Sequence, residues 1–396
     1  MRTTEPNDLT ALVRRMSTVA RRFRQTHPLN ELDDESGVYY LPTGTQGSSH
    51  FKPLVWFPSR GCVWSLSGGC TMCNFGMTSR QLDMDEVLAQ WDQLLERLGE
   101  GIQRLHIGPG GSFFTDAEVP AAVRVAVIRR LARLPFLRAV GMETRAPFVT
   151  EQKLEEVVSA LPPSVERLTL GFGLECVSDL PRLVCINKGY GPTEILRTLD
   201  IMRTVESRHA GLTIAFEAYV MLKPIFMSEQ EAIGEALQTI DWVLRHGGET
   251  AVLFLNTVKE NTLQAVLAGP LEKPSSICYR PPFLRSAIEV LLQLPDEWRE
   301  KTVVLGPQSA MPAHQLPKSC ALCSWPLNGA LVAHNLYRDP AVLHGAAAIV
   351  CPCKDEWEQE LGADSETLVA RATRGIEWLE SEARSWGTTR APVTLH

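Results

Sequence analysis

The stretch RLHIGPGGSFFTDAEVPAAVRVAVIRRLARLP, residues 104–135, contains one complete unit of the fold. A short apolar run is followed by a glycine-rich turn and then by a segment whose apolar residues recur at helical spacing. Five further units of this kind occur between residues 51 and 300, and each spans about 35 to 45 residues. Such alternation predicts an α/β fold with a parallel sheet and helices outside it. Six units are fewer than the eight of a closed barrel, so an open barrel and a doubly wound sheet both fit the pattern.

The segments on either side of this α/β region differ from it in character. Residues 1–50 predict an N-terminal helical extension, and residues 301–396 predict a small C-terminal module that contains cysteines. The first helix is locally basic, and we interpret its arginines as an exposed face. They are Arg14, Arg15, Arg21, Arg22 and Arg24.

Charge and hydropathy limit the function classes. The 396-residue chain has a net charge of −7, so it has no general attraction to phosphate backbones. The sequence contains no secretory signal and no apolar run of about 18 residues. We therefore expect a cytoplasmic protein without a membrane span. Ten cysteines in such a protein indicate metal or redox chemistry, because that compartment keeps disulfides reduced.

Three of the cysteines, Cys62, Cys70 and Cys73, lie in the loop after the first predicted strand, with the spacing C-x7-C-x2-C. Ligands bind at this end of the strands in both candidate folds. The three thiols can be buried cysteines, part of a zinc site completed from elsewhere, or ligands of a [4Fe–4S] cubane. In the cubane, the fourth iron stays open to a small chelating ligand. Gly68 and Gly69 allow a tight turn around a bulky group, which favours the cubane.

A second group of four cysteines lies in the C-terminal module. Cys320 and Cys323 form C-x2-C, and after a gap of 27 residues Cys351 and Cys353 form C-x-C. Four thiolates in two pairs are typical of tetrahedral zinc, and an auxiliary iron–sulfur cluster uses the same ligands. Cysteines without a metal are the third interpretation. The remaining buried candidates, Cys176 and Cys185, have no ligand spacing and are expected in the core.

Polar residues at the other strand ends form the rest of the predicted site. Gly110, Gly111 and Ser112 end the second strand, where small residues let a ligand approach the backbone. Glu143, Arg145 and Glu175 follow the third and fourth strands. Glu143 and Arg145 either pair with each other or bind the hydroxyls and carboxylate of a cofactor.

Two lysines at or beyond strand ends, Lys188 and Lys223, are candidate catalytic residues that would hold an anionic group of a cofactor or substrate. A surface lysine is the simpler interpretation of Lys188. Glu217, Asn256 and Arg280 are predicted on the same rim as candidate substrate contacts.

Several motifs together resemble the radical S-adenosylmethionine (SAM) superfamily. They are RGCVWSLSGGCTMCNFG, GPGGSFFTDAEVP, METRAPFVTEQKLEE, GFGLECVSD with INKGY, YVMLKPIFMSEQEAI and YRPPFLRSAIEVLLQLP. The superfamily's common spacing is C-x3-C-x2-C. The longer first gap resembles the branch of the Elongator catalytic subunit, and the other motifs are most similar to the radical SAM subunit of archaeosine synthase. The resemblance implies a partial (β/α)6 barrel of the TIM type over residues 51–300.

The resemblance also implies the chemistry. Cys62, Cys70 and Cys73 would hold a [4Fe–4S] cluster, and residues 110–112, Glu143, Arg145 and Glu175 would bind SAM. Reductive cleavage would give a 5′-deoxyadenosyl radical that abstracts hydrogen from a substrate, with flavodoxin or ferredoxin as the electron donor.

The acidic balance favours a small molecule or modified nucleoside over tRNA as the substrate. The alternatives are a tRNA deazaguanine-modifying enzyme, 3-amino-3-carboxypropyl radical chemistry, and a non-enzymatic zinc or electron-transfer protein.

Overall fold

The computed structural model describes residues 6–28, 37–45, 48–56, 59–75, 83–99, 101–305, 315–363 and 366–387. Within these ranges the chain forms one curved sheet of eight strands whose spatial order follows the sequence. The strands are β1 Gly37–Thr45, β2 Ser48–Trp56, β3 Arg104–Gly108, β4 Ala139–Thr144, β5 Arg167–Glu175, β6 Thr213–Leu222, β7 Thr250–Leu255 and β8 Thr302–Leu305.

Helices connect the strands and continue after the sheet. They are α1 Pro6–Thr26, α2 Val63–Leu66, α3 Met84–Leu98, α4 Ala121–Arg130, α5 Glu151–Ala160, α6 Pro192–Glu206, α7 Glu229–Arg245, α8 Leu263–Ala268, α9 Leu284–Gln293, α10 Asp296–Glu300, α11 Ser324–Tyr337, α12 Pro340–Ala347, α13 Pro352–Gly362 and α14 Leu368–Ala383. No helix in the described ranges is long and apolar enough to cross a membrane.

The sheet confirms the predicted partial barrel. Strands β2 to β8 run parallel and are joined by six helical crossovers, so the predicted units are all present. Side-chain caps begin two of the crossover helices: Thr150 caps α5, and Ser228 forms a capping box with Glu231 in α7.

Two edge strands extend the sheet beyond the prediction. Residues 37–45, which we expected in a helical extension, pair antiparallel with β2 as β1. At the other edge β8 pairs parallel with β7. Each of these strands is adjacent in sequence to a longer predicted element. The apolar pattern of that element decided the secondary structure that was predicted there.

Strand β5 separates the apolar core from the interior of the barrel. Leu168, Leu170, Phe172 and Leu174 are fully buried and belong to the main apolar core. The alternate residues of the strand, Thr169, Gly171, Gly173 and Glu175, face the other side. Since two of these are glycines, the interior of the partial barrel has room for polar side chains from neighbouring strands.

Helix α11 covers both edge strands of the sheet. It packs against β1 and its neighbour β2, and also against β8. The Asn335 side chain pairs with the backbone of Val304, accepting at 2.8 Å and donating at 2.7 Å. Arg338 donates to the carbonyl of Thr302 at 2.6 Å. These bonds satisfy backbone groups that an edge strand otherwise leaves unpaired.

Candidate active site

The loop that contains Cys62, Cys70 and Cys73 is a compact turn at the carboxyl end of β2. The N–H of Cys62 donates to the carbonyl of Phe75 at 3.4 Å, which closes the loop. The N–H of Cys73 donates to the carbonyl of Cys70 at 3.2 Å, and that of Phe75 to the Cys73 sulfur at 3.4 Å. All three thiols are half-buried.

These three cysteines are close enough to influence one another electrostatically. Burial raises the pKa of Cys62 to about 12, and Glu118 and Cys73 add to this effect. Burial also raises the pKa of Cys70 to about 11, although Lys188 opposes the shift. Burial therefore disfavours uncompensated thiolates at Cys62 and Cys70, so the donor set suits a positively charged metal centre.

The turn between β5 and α6 holds the cysteine loop in place. The Asn187 amide donates to the carbonyls of Gly68 at 3.1 Å and Gly69 at 3.0 Å, and the Trp64 indole donates to the Asn187 carbonyl at 2.9 Å. Gly68 has a φ of 84°, and a Cβ there would lie 2.6 Å from the carbonyl oxygen of Ala20 in α1. The glycines therefore permit the close approach of α1 to the loop.

Glu118 connects the cysteine loop to the glycine-rich end of β3. Its carboxylate accepts the N–H of Val63 at 3.0 Å and the N–H of Ser112. Burial raises the pKa of Glu118 to about 7, although these two bonds lower it. The Glu118 side chain therefore links the segment before α4 to the cysteine loop, 55 residues earlier in the chain.

The predicted residues Gly110, Gly111 and Ser112 lie beside the cysteine loop. A Cβ on Gly111 would approach the Cα of Cys62 to 3.3 Å and clash with the Glu118 carboxylate at 2.2 Å. The Ser112 hydroxyl lies 2.9 Å from that of Thr144 and accepts the N–H of Arg145 at 3.2 Å. Ser112 therefore joins the ends of β3 and β4.

Arg145 does not pair with Glu143. Its guanidinium lies over the rings of Trp64 (4.9 Å), Tyr190 (5.3 Å) and Phe148 (5.4 Å) and donates to the Lys188 carbonyl at 3.4 Å. Aromatic faces hold a guanidinium while leaving part of its planar edge for another ligand. Arg145 is therefore suited to bind an anionic group near Cys70.

Glu143 belongs to a polar cluster inside the barrel that the sequence analysis missed. Its Oε1 accepts the Tyr219 hydroxyl at 2.9 Å and lies 3.8 Å from His106 Nε2. His106 Nδ1 lies 3.6 Å from Glu217, which in turn lies 3.6 Å from the Lys52 ammonium. Glu217 is the fifth residue of β6 and is buried, so its predicted place on the rim is wrong.

This cluster contains unpaired polar atoms. His106 is 2% exposed, and within the described part of the chain neither ring nitrogen has a hydrogen-bond partner. Burial lowers the pKa of His106 to about 4, and the Lys52 charge contributes. Burial raises the pKa of Glu143 to about 7, against the Tyr219 bond. Both groups therefore favour their neutral forms, which can donate and accept hydrogen bonds.

Glu175 and Lys188 form a buried ion pair at the end of β5, with Nζ 2.8 Å from Oε1. Burial lowers the pKa of Lys188, but the charges of Glu175, Tyr190 and Cys70 together with the Glu175 hydrogen bond raise the pKa overall. Glu175 has a φ of 65° and Asn187 one of 58°. Positive φ values at non-glycine residues are uncommon and cluster at functional sites. Lys188 is thus not a surface lysine.

Lys223 lies in a different set of contacts. It has a φ of 60° directly after β6, and its ammonium is held by Glu229 of α7 and lies 3.8 Å from Glu360 of α13. Arg280 approaches Glu360 at 3.6 Å. The Asn256 amide donates to the Lys223 carbonyl at 3.1 Å. The C-terminal helices therefore reach the barrel mouth at β6.

Two buried cations next to the cysteine loop were also missed. Arg24 of α1 is 9% exposed and donates to the carbonyls of Ser65 and Asn261 at 3.1 Å each, which corrects its predicted place on an exposed face. Lys259 is 5% exposed, with its ammonium 5.1 Å from the centre of the Phe75 ring. Among the described residues neither cation has a carboxylate within 4 Å, and the Cys73 thiolate raises the pKa of both against the lowering by burial.

A sequence signal existed for only some of the missed residues. His106 interrupts an apolar strand, which is unusual for a core strand, and Glu217, which was predicted but on the rim, does the same. Arg24 and Lys259 occur in ordinary helix and loop patterns, and only the tertiary contacts reveal their burial. As expected, Cys176 and Cys185 are fully buried.

The four C-terminal cysteines come together at the first turns of α11 and α13. The sulfurs of Cys320, Cys323 and Cys351 all lie within 4.8 Å of one another. The Cys353 thiol is in hydrogen-bonding contact with Cys320 and Cys323. Cys353 lies outside this set of three, but its contacts bring the two predicted pairs to the same place.

The chain is similar to two archaeal proteins named archaeosine synthase subunit beta. It is 30% identical to the one from Methanosarcina acetivorans over 310 residues, which are 78% of this chain and 84% of that protein. The chain belongs to the archaeosine synthase beta-subunit family. It is 24% identical to the Thermococcus kodakarensis protein over 67% of this chain and 78% of that protein. No protein-family model matches the chain.

Membership of this family confirms the resemblance to the radical SAM superfamily. The chain is a radical SAM enzyme. Two solved structures are also similar. Queuine lyase from Clostridium spiroforme, bound to SAM and queuine, has a TM-score of 0.46 at 14% identity, over 71% of this chain and 99% of that chain. The methyltransferase TsrM from Kitasatospora setae has a TM-score of 0.38 at 13% identity, over 93% of this chain and 67% of that chain. Both scores are below 0.5, so the family assignment rests on the sequence relatives.

Proposed function

We propose that this enzyme holds its [4Fe–4S] cluster through Cys62, Cys70 and Cys73 and uses SAM for hydrogen abstraction. The observation that carries the proposal is the chemistry of the loop: three thiols converge at the carboxyl end of β2 among buried cations. Their sulfurs do not all lie within 4.8 Å of one another, which suits ligands of three different irons. When bound and reduced, the cluster supplies the electron that cleaves SAM to a 5′-deoxyadenosyl radical.

The residues for SAM line the neighbouring strand ends. The backbone at Gly110 and Gly111 offers close approach, and Ser112 fixes this turn against β4. Arg145, held in its aromatic cage, supplies a cation for the cofactor's carboxylate. The Glu175–Lys188 pair provides an acceptor and a donor for its amino group and hydroxyls. We place Glu143 at the deep end of the same site, where it can contact the substrate.

A small-molecule substrate would enter the interior of the barrel above His106 and Glu143. The ring nitrogens of His106 and the carboxyl of Glu143, whose raised pKa favours the protonated form, can donate and accept hydrogen bonds to a polar ring or amine. A second candidate is a deazaguanine nucleoside of tRNA, which the names of the relatives favour.

Lys223 stays a predicted catalytic residue, although Glu229 and Glu360 hold its ammonium. We propose flavodoxin or ferredoxin as the electron donor.

Anaerobic reconstitution tests the proposed function. With iron, sulfide and reductant, the wild-type protein should show cubane absorbance and release 5′-deoxyadenosine from SAM. The Cys73→Ala variant should lose both, while Cys278→Ala, at an exposed cysteine outside both groups, should keep both. Cleavage retained by Cys73→Ala would refute the ligand assignment. Release of methylthioadenosine instead would identify 3-amino-3-carboxypropyl radical chemistry.

A further inference from the structure

The four C-terminal cysteines differ geometrically from the three in the first loop. The sulfurs of Cys320 and Cys323 are 3.6 Å apart. Zinc–sulfur bonds of 2.3 Å in a tetrahedron place the sulfurs about 3.8 Å apart. In a cubane each thiolate binds a different iron, so its ligand sulfurs lie farther apart. Cys320, Cys323 and Cys351 are the one set of three potential metal ligands within 4.8 Å in the described part of the chain, and their spacing fits a single ion.

Positively charged groups lie close to two of these cysteines. Cys323 and Cys351 are the N-cap residues of α11 and α13, helices of 14 and 11 residues. The positive ends of two helix dipoles therefore point at the sulfurs. The Arg285 guanidinium of α9 is 4% exposed and donates to the Cys351 sulfur at 3.2 Å. Four thiolates around one divalent ion leave a net negative charge, which Arg285 partly offsets.

Arg285 also connects the cysteines to the barrel. Its guanidinium donates to the carbonyls of Ile349 and Ala347, the latter at 3.3 Å, in the turn that leads to Cys351. Outer residues of this kind orient metal ligands and are part of a built site. The Cys323 and Cys351 side chains are buried at 0% and 4% exposure, whereas Cys320 is half-buried. A closed site with four protein ligands is structural rather than catalytic.

The four cysteines lie at the starts of α11 and α13, and each helix extends from them to a different part of the sheet. From Cys323, α11 extends to Asn335 and Arg338, which cap the free edge of β8. From Cys351, α13 extends to Glu360, which lies 3.8 Å from Lys223 at the barrel mouth. A metal ion that fixes both first turns would therefore fix the edge cap and the position of Glu360.

We propose that Cys320, Cys323, Cys351 and Cys353 bind one zinc ion, which fastens α11 and α13 to the open side of the partial barrel. The four thiols lose their protons on binding, and no redox step is involved. This zinc site is independent of the cluster and of the proposed substrate, so it stands or fails separately from the proposed function.

Metal analysis of the full-length protein tests the proposal. Wild-type protein should contain about one zinc per chain in addition to cluster iron. A variant with Cys62, Cys70 and Cys73 all changed to Ser should keep its zinc and lose iron and sulfide. The double variant Cys320→Ser and Cys353→Ser should lose zinc and unfold at a lower temperature, whereas Cys278→Ser should match the wild type.

A measurement on the wild type covers the case in which the double variant does not fold. Replacement of zinc by Co²⁺ should give the intense visible bands of tetrahedral cobalt together with thiolate charge-transfer bands. Iron and sulfide retained by the variant without the first three cysteines would overturn the proposal in favour of a second cluster. Wild-type protein that binds neither zinc nor Co²⁺ would overturn it in favour of metal-free cysteines.

Discussion

The Lys188 ammonium lies 2.8 Å from the Glu175 carboxylate, and both side chains are 10% exposed. The two residues belong to different sequence motifs, GFGLECVSD and INKGY. The left-handed conformation of Glu175 turns its side chain toward the lysine. The pair lies between β5 and the turn that holds the cysteine loop. It therefore links the proposed SAM-binding region to the cysteines through charge as well as through the Asn187 hydrogen bonds.

Removing one partner of this pair should cost more stability than removing both. Lys188→Met leaves the Glu175 carboxylate buried without a counterion, which typically costs about 3 kcal/mol. The double variant with Glu175→Gln should recover much of that loss. Urea unfolding of the wild type, both single variants and the double variant measures the coupling. Purely additive losses would show that the pair does not act as a unit.

Two glycines on the inner face of β5 offer a matched test of SAM binding. A Cβ on Gly173 would lie 2.4 Å from the Lys188 ammonium and 2.5 Å from the Glu175 carboxylate. On Gly171, the nearest atom would be 3.4 Å away on the Tyr219 ring, an ordinary contact. Gly173→Ala should therefore displace the ion pair and weaken SAM binding about tenfold, since small misplacements cost this much or more.

The control for that variant is Gly171→Ala, which should bind SAM as the wild type does. Isothermal titration of each reconstituted protein with SAM gives the comparison. Both variants should fold, because the clashing atoms at Gly173 are the ends of flexible side chains. Equal SAM affinity in the two variants would show that the Glu175–Lys188 pair does not contribute to SAM binding.

The sequence was informative where a pattern repeats or a spacing is specific. Strand–helix alternation predicted the six crossovers, and cysteine spacing predicted both thiol groups. The interior cluster of His106 and Tyr219 could not be predicted, because its contacts depend on the register of β3 with β4 and of β5 with both β4 and β6. Arg24 was misplaced for a related reason: helical periodicity identifies a charged side chain, but only the packing of α1 on the cysteine loop shows that it is buried.

Lys259 should raise the reduction potential of the cluster that the cysteine loop is proposed to hold. Its buried ammonium lies over Phe75 at 5.1 Å and Phe254 at 5.3 Å, and the Phe75 N–H contacts the Cys73 sulfur. A nearby positive charge favours the more negative, reduced cluster. Lys259→Met keeps the apolar packing and removes the charge, so the midpoint potential should become lower.

An electron paramagnetic resonance titration against reductant measures this potential in each protein. Lys301→Met is the matched control, because Lys301 is exposed and lies 3.6 Å from its partner Glu297. An unchanged potential in Lys259→Met would place the ammonium outside the electrostatic range of the cluster. The same shift in both variants would mean that the effect is not specific to the Lys259 position.

The pH dependence of stability should report on Glu143. Burial raises its pKa to about 7 from an ordinary value of 4.5, so folding favours the protonated acid. Its contribution to stability is therefore complete below pH 4.5 and is lost as the pH rises through 7. The full loss is roughly 3 kcal/mol, of which about 1 kcal/mol falls between pH 6 and pH 8.

Glu143→Gln, which mimics the protonated acid and can still accept the Tyr219 hydroxyl, should lack this loss. Thermal unfolding of both proteins at the two pH values tests it, and the variant should gain stability relative to the wild type at pH 8. A constant difference across the two pH values would mean that the Glu143 pKa is not raised.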